Sequence, residues 1–263
     1  MTQTHGVSID GDVVTKVYVS TDRDEHLREW AALRAISARA PDLVPTPLEL
    51  DARPAVSMSL VPGRPLDGAL GQAELDALEK ALRTLWSLPT DGVLGNPLPG
   101  FIARVREAAG SFTATGLIED ARLAGVEWLA DGEVDKLLRP ADSVIGHGDP
   151  NLANYLWDGE RVRIVDFEDA GVSDVAVELA NLVEHLAGRR TEWTGFIARF
   201  AADPQRLLTA RRLWSIFCLA LLRPGGSSLL RNPPGTADEQ ARRVLRMLAR
   251  PGGLPAGCGR RGC

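Results

Sequence analysis

Residues 146–171 read GHGDPNLANYLWDGERVRIVDFEDAG, and the fold turns on how this stretch is read. Residues 154–157 can run up to a turn at Asp158-Gly159 and RVRIVDF can return, giving an antiparallel hairpin of the kind Asp-Gly favours. Such pairing sets Asn154 beside Asp166. Upstream, SVI is a short apolar run that ends at Gly146. His147, Gly148 and Asp149 must then lie in a loop, because Pro150 disfavours a helical Asp149 and has no N–H to give a sheet. Asp149, Asn154 and Asp166 therefore converge at one end of the hairpin. A carboxylate with an amide oxygen suits Mg²⁺, which takes few protein ligands and keeps the rest for water and phosphate. A second carboxylate held on a loop can accept a proton from a hydroxyl. Taken singly, each loop residue is explained as well by ordinary side-chain turns. Their joint spacing is what points to phosphoryl transfer.

Composition limits the setting. At 263 residues, 44% hydrophobic and 25% charged, the chain can bury a substantial core in one or two domains. Its longest nearly uninterrupted apolar run, LWSIFCLALL at 213–222, is about half the length of a membrane span, so no membrane partner is expected. The N-terminus lacks the basic-then-apolar pattern of a signal peptide, and a cytoplasmic protein is expected. Cys218, Cys258 and Cys263 are odd in number, and no Cys/His spacing suggests zinc. The net charge of −5 hides an uneven distribution: residues 67–185 carry 22 acidic and 9 basic side chains, residues 186–263 carry 4 and 14. An acidic middle repels nucleic acid and favours a cationic small molecule, although a solvated acidic face explains the charge as well. The basic end spreads its arginines through amphipathic stretches without interleaved aromatics, so no nucleic-acid partner is expected.

The remaining elements follow from periodicity. THGVSIDGDVVTKVYV reads as two β-runs joined at Asp10-Gly11. DRDEHLREWAALRAIS follows as a helix with Leu27, Trp30, Leu33 and Ile36 on one side. VPTPLELDARPAVSMSLVPG suggests a second strand pair, and PGRPL a crossing into a mostly helical part. The expected fold is α+β: a small β-rich lobe with one helix over residues 1–61, a larger helical lobe over 62–250 with the hairpin set into it, and a flexible tail over 251–263. Inside that helical lobe the quoted stretch is the only clear β-signal.

HGDPNLAN followed by IVDFE resembles the catalytic loop and metal-binding segment of the aminoglycoside phosphotransferase family, which has the protein-kinase-like fold. The resemblance implies that Asp149 is the catalytic base, that His147 supports its loop, and that Asn154 and Asp166 are Mg²⁺ ligands. Phe167 matches the kinase-like Asp-Phe better than the Asp-Trp common in the antibiotic kinases. Such a fold also requires a strand lysine for the nucleotide phosphates and a helix glutamate to pair with it. Lys16, one of three lysines among thirty basic residues, sits inside VVTKVYV. Glu29 projects from the apolar side of its helix, between Ile36 and Leu33, where a carboxylate needs a cation. AVSMSLVPGRPL resembles the strand and hinge that hold adenine, which implies backbone contacts from Met58, Ser59, Leu60 and Val61. The Met58 and Leu60 side chains read equally as core. Glu178 stands where the family usually has an Asp that braces the catalytic loop. No G-x-G-x-x-G occurs, and the fifteen residues before Lys16 are too few for the family's phosphate-covering strand-loop-strand, so the family's first strand is expected to be missing.

The resemblance thus implies an ATP- and Mg²⁺-dependent phosphotransferase acting on a hydroxyl of a small molecule, an aminoglycoside-like antibiotic, a sugar or an amino alcohol, with a cationic one favoured by the charge of residues 67–185. Glu168, Asp169 and the helices between residues 100 and 135 are candidate substrate contacts, although solvation explains those acids equally well. The alternative is a nucleotide-binding pseudokinase or scaffold that keeps the fold without turnover.

Overall fold

The computed structural model describes residues 5–249, so the tail expected over 251–263, with Cys258 and Cys263, lies outside the described residues. Strand β1 (Gly6–Asp10) turns through Gly11 and Asp12 into β2 (Val13–Val17), with Asp10 opposite Val13. The turn lies one residue beyond Asp10-Gly11, and Gly11 takes the positive φ (56°) that a two-residue hairpin needs at its first central position. Helix α1 (Glu25–Ser37) follows, then β3 (Pro47–Leu50) and β4 (Ala55–Ser59), completing an antiparallel sheet of order β1-β2-β4-β3.

The cross-strand register decides the faces of this sheet. Val14 lies opposite Ile9 and Met58, and Lys16 opposite Val7 and Val56, so these residues share one face. Thr15 and Ser57 share the other, with their hydroxyls 2.9 Å apart. Helix α1 buries Glu29, Ala32, Leu33 and Ile36. Leu27, expected in this stripe, is exposed and Trp30 half-buried, because the stripe centres on Glu29 rather than beside it.

After β4 the chain forms β5 (Arg64–Pro65) and α2 (Gln72–Trp86). The two-residue β5 pairs with the hairpin and not with the first sheet. Helices α3 (Leu98–Gly110) and α4 (Gly116–Ala130) precede β6 (Val144–Gly146), β7 (Tyr155–Trp157), β8 (Val162–Ile164) and β9 (Gly171–Ser173). The hairpin β7–β8 pairs Trp157 with Val162, and the Asp158 carboxylate closes its loop by accepting from the Glu160 and Arg161 N–H groups. Pairing of β6 with β9 was not legible in the sequence, since each is only three residues long. The chain ends in α5 (Val175–Glu184), α6 (Thr194–Ile197), α7 (Pro204–Leu221), α8 (Ser227–Arg231) and α9 (Thr236–Leu248). No helix among the described residues is long and apolar enough to cross a membrane.

One buried core runs from Leu33, Ile36 and Val56 of the first sheet and its helix to Leu78 and Leu82 of α2, then to Ile145, Tyr155 and Phe167 around the hairpin. It crosses the position 61/62 at which two lobes were expected to part. Burying Phe167 alone is worth about 2–3 kcal/mol. A second core joins α3, α4, α7 and α9. Part of the basic C-terminal charge is spent inside the molecule: Arg211 and Arg243 both pair with the buried Glu184 of α5, and Arg206 pairs with Asp174.

Candidate active site

The loop that begins at His147 starts where β6 ends. Gly148 takes φ 83°, and a Cβ there would lie 2.1 Å from the Asp169 carbonyl oxygen, so the two loops touch backbone to backbone. Asn151 caps a single 3-10 turn over Leu152–Asn154 by accepting from the Ala153 N–H at 3.1 Å. The Val165 N–H donates to the Asn154 carbonyl at 2.9 Å, which brings Asn154 beside Asp166 as the hairpin reading expects. The Asn154 amide nitrogen donates to the Asp149 carbonyl at 3.0 Å. Its donor end is therefore committed, and its oxygen is the end left for a cation.

His147 is buried and knits loop to strand: Nε2 lies 2.8 Å from the Val165 carbonyl, and Nδ1 accepts from the Asp149 N–H at 3.3 Å. Its ring packs at 4.8 Å from that of Phe167. His147 thus ties the backbone of residue 149 to that of residue 165. Helix α5 then holds the loop one residue at a time. Asp174 caps the helix by accepting from the Ala176 and Val177 N–H groups. From there Glu178 accepts from the His147 N–H at 2.9 Å, Asn181 donates to the Gly148 carbonyl at 2.9 Å, and His185 Nε2 lies 3.4 Å from Asp149 Oδ1. The spacing i, i+3, i+7 puts these three side chains along one line of the helix. Burial pushes the Glu178 carboxyl above its ordinary value, while its bonds to Ser173 and His147 act against that. Its extra methylene relative to Asp is accommodated by Gly146, where a Cβ would sit 2.6 Å from the Glu178 carboxylate.

Asp149 is half-buried, its side chain 41% exposed. Burial opposes its charge, but contact with His185, the nearby His147 and the Asn151 N–H outweigh this and hold the carboxyl below its ordinary value. It is thus kept as a carboxylate.

Lys16 reaches across from β2. Its ammonium is 2.9 Å from Glu29 and 2.5 Å from Glu168, and it also pairs with Asp166. Burial disfavours the charged amine, but Glu29, Asp166 and Glu168 together hold its pKa above the usual lysine value. Glu29, only 1% exposed, uses its other oxygen to accept from the Phe167 N–H at 3.1 Å, and also takes the Tyr18 hydroxyl. One buried carboxylate therefore fixes the lysine and the backbone just after Asp166. Asp166 itself has φ 70°, a conformation that costs a non-glycine residue about 1–2 kcal/mol. Glu29, Asp166 and Glu168 would suit a cation by proximity alone, but the Lys16 ammonium already fills their centre.

Glu168 and Asp169, expected to face a substrate, are turned instead to the N-terminal unit. Glu168 meets Lys16 and lies 3.1 Å from His5 Nε2, its carbonyl accepts from Arg28, and Asp169 pairs with Arg23. Burial pushes the Glu168 carboxyl up to about 7, with Lys16 pulling it down and Asp166 pushing it up. In the expected adenine strand, the Met58 side chain is buried core and Leu60 exposed. The Ser59 N–H goes to Thr46 and the Leu60 N–H to Asp12, whereas Val61 N–H has no bond among the described residues. Exposed Ile9 and half-buried Val14 stand opposite one another on the face that carries Lys16. Sequence reading missed Asn181, His185, Tyr18, Arg23 and Arg28. For the first two a signal existed: polar residues three and seven positions after Glu178, among mostly apolar neighbours.

A lysine held by a helix glutamate beside an acid that follows a hairpin, with a second acid and an Asn on the preceding loop, defines the protein-kinase-like class of phosphotransferases. The model of the phosphotransferase enzyme family, APH, matches residues 6–214, and the chain belongs to that family. No curated protein matches significantly. Among solved structures, the chain is similar to a choline/ethanolamine kinase family protein from Mesorhizobium loti, with TM-score 0.66 and 20% identity over 95% of this chain and 86% of that one. It is similar to choline kinase LicA from Streptococcus pneumoniae, with TM-score 0.59 and 14% identity over 94% and 90%. Aminoglycoside phosphotransferase APH(2'')-Ib, solved with ADP bound, gives TM-score 0.57 and 16% identity over 92% and 91%. At such identities these likenesses speak for the fold. By family the chain is a phosphotransferase.

Proposed function

We propose that this kinase transfers the terminal phosphoryl group of ATP, presented with Mg²⁺, to a hydroxyl of a small cationic alcohol. The observation that carries the reading is the meeting of Lys16, held by Glu29, with Asp166, next to a loop that presents Asp149 and Asn154. The donor set fits magnesium: a carboxylate 35% exposed on Asp166 and an amide oxygen whose amino group is engaged elsewhere on Asn154, both hard oxygen ligands. Bound there, the metal would neutralise charge on the phosphates and order them.

The residues of the chain do the rest. Asp149, kept as a carboxylate, accepts the proton of the acceptor hydroxyl as the oxygen attacks. Lys16 offers its ammonium to the nucleotide phosphates, with Glu29 fixing its position. The Val61 N–H is the remaining backbone donor of residues 59–61 for the base, and Ile9 and Val14 supply apolar surface on the lysine face. Positioning and charge neutralisation supply most of the rate. The acidic residues 67–185 favour a cationic acceptor, and the names of the choline and aminoglycoside kinases of the same fold agree with that choice.

Mg²⁺-dependent ATP consumption, measured with a panel of amino alcohols, aminoglycosides and neutral sugars, tests this directly. Stimulation by at least one cationic alcohol is expected. ATP binding with no compound phosphorylated would favour a pseudokinase. Asp166→Asn is expected to weaken nucleotide binding in Mg²⁺ by roughly tenfold or more, about 1.4 kcal/mol, with little change in its absence. Titration calorimetry with and without Mg²⁺ reads the difference.

A further inference from the structure

Among the side chains around the loop, His185 has one ring nitrogen in a structural bond and the other turned to Asp149. It ends α5, with φ −60° and ψ 135°, so the backbone leaves the helix and the ring swings toward the catalytic loop. Its Nδ1 accepts from the Ala187 N–H at 3.2 Å, which makes Nδ1 the unprotonated nitrogen. The proton of the neutral ring is then on Nε2, and Nε2 is the atom 3.4 Å from Asp149 Oδ1. Catalytic hydrogen bonds are commonly long before substrate binds and shorten in the complex. The ring is three-quarters buried, so few other orientations are open to it.

We propose that His185 is a positioning residue for the base Asp149: its Nε2–H holds one carboxylate oxygen and leaves the other to face the acceptor hydroxyl. The proposal rests on the phosphotransferase reading above and deepens it. A carboxylate on a loop can rotate about its Cβ–Cγ bond, and a rotated carboxylate aims the wrong lone pair. Backbone bonds from Glu178 and Asn181 fix where residues 147 and 148 lie, but they leave the Asp149 side chain free to turn. The contact with His185 removes that freedom. Because Ala187 pins the tautomer, His185 acts as a fixed donor and not as a proton carrier.

Two measurements test this. Long-range ¹H–¹⁵N correlation on histidine-labelled protein reads the tautomer without any turnover. An Nε2–H form whose resonances shift in Asp149→Ala is expected. An Nδ1–H form, or a His185 signal indifferent to Asp149→Ala, would overturn the proposal. The second measurement is phosphate release from Mg²⁺-ATP with water as acceptor. His185→Leu should lower kcat on the order of 10- to 100-fold while the KM for ATP stays within about twofold, the pattern of a lost supporting contact. His185→Gln, whose amide N–H can reach the same oxygen, should recover most of that loss. Equal kcat in the parent and His185→Leu, or no recovery with His185→Gln, would also overturn it. A parent that turns over no ATP counts against the phosphotransferase reading itself, and the tautomer then decides the role of His185.

Discussion

Asp149→Asn is expected to lower turnover by about 10³-fold while leaving ATP affinity within about twofold of the parent. The amide is nearly isosteric with the carboxylate, so the loop should keep its shape. The Asp149 backbone contacts, from its N–H to His147 and from its carbonyl to the Asn154 amide, do not involve the side chain. What changes is chemistry. If the new amide turns its oxygen to His185, it presents an NH₂ where a lone pair is needed to receive a proton. The nucleotide's expected partners, Lys16, Asn154 and Asp166, are untouched, which is why binding and turnover should separate. Steady-state phosphate release and calorimetry with ATP give the two readings. Turnover close to that of the parent would remove Asp149 from the role of base.

Gly148→Ala carries the next largest effect. At φ 83° an L-residue costs about 1–2 kcal/mol in backbone strain. The added Cβ would also lie 2.1 Å from the Asp169 carbonyl oxygen and 2.6 Å from its carbon, and backbone atoms cannot rotate away as a side chain can. A total near 3 kcal/mol is expected, which for a chain of this size lowers Tm by roughly 6–12 °C. Relief of the clash must push residues 147–149 away from 167–169, so turnover should fall as well. Gly159→Ala is the matched control. Gly159 also has positive φ, 104°, but nothing lies within 4 Å of its would-be Cβ, so it tests strain without collision. Equal stability losses at the two positions would contradict the close approach of the loops.

The parts of this site legible in the sequence were those fixed by local rules. The turn at Asp158-Gly159, which the structure widens to a four-residue loop over 158–161, and the period of the strands place Asn154 beside Asp166, and Pro150 forces Asp149 into a loop. Glu29 was legible because a carboxylate on the apolar side of a helix must find a cation, and Lys16 is that cation in the structure. Less legible was anything that depends on which way a short loop faces. Glu168 and Asp169 follow Asp166 so closely that a substrate role was a natural expectation, yet a left-handed Asp166 reverses the chain and hands Glu168 to Lys16 of β2 and Asp169 to Arg23, just before α1. Asn181 and His185 escaped although their spacing from Glu178 was legible, because that spacing gains its meaning when α5 is laid against the loop. The pairing of β6 with β9 escaped for a similar reason, since three-residue strands carry no period.

The account stands on one arrangement: Asp149, Asn154 and Asp166 gathered around a single magnesium-bound triphosphate. A crystal structure of the protein with Mg²⁺ and a non-hydrolysable ATP analogue measures this most directly. The predicted result has the Asn154 amide oxygen and an Asp166 carboxylate oxygen on the metal at about 2.0–2.1 Å, with the terminal phosphate facing Asp149. A metal held by other residues, or a triphosphate turned away from Asp149, would contradict it.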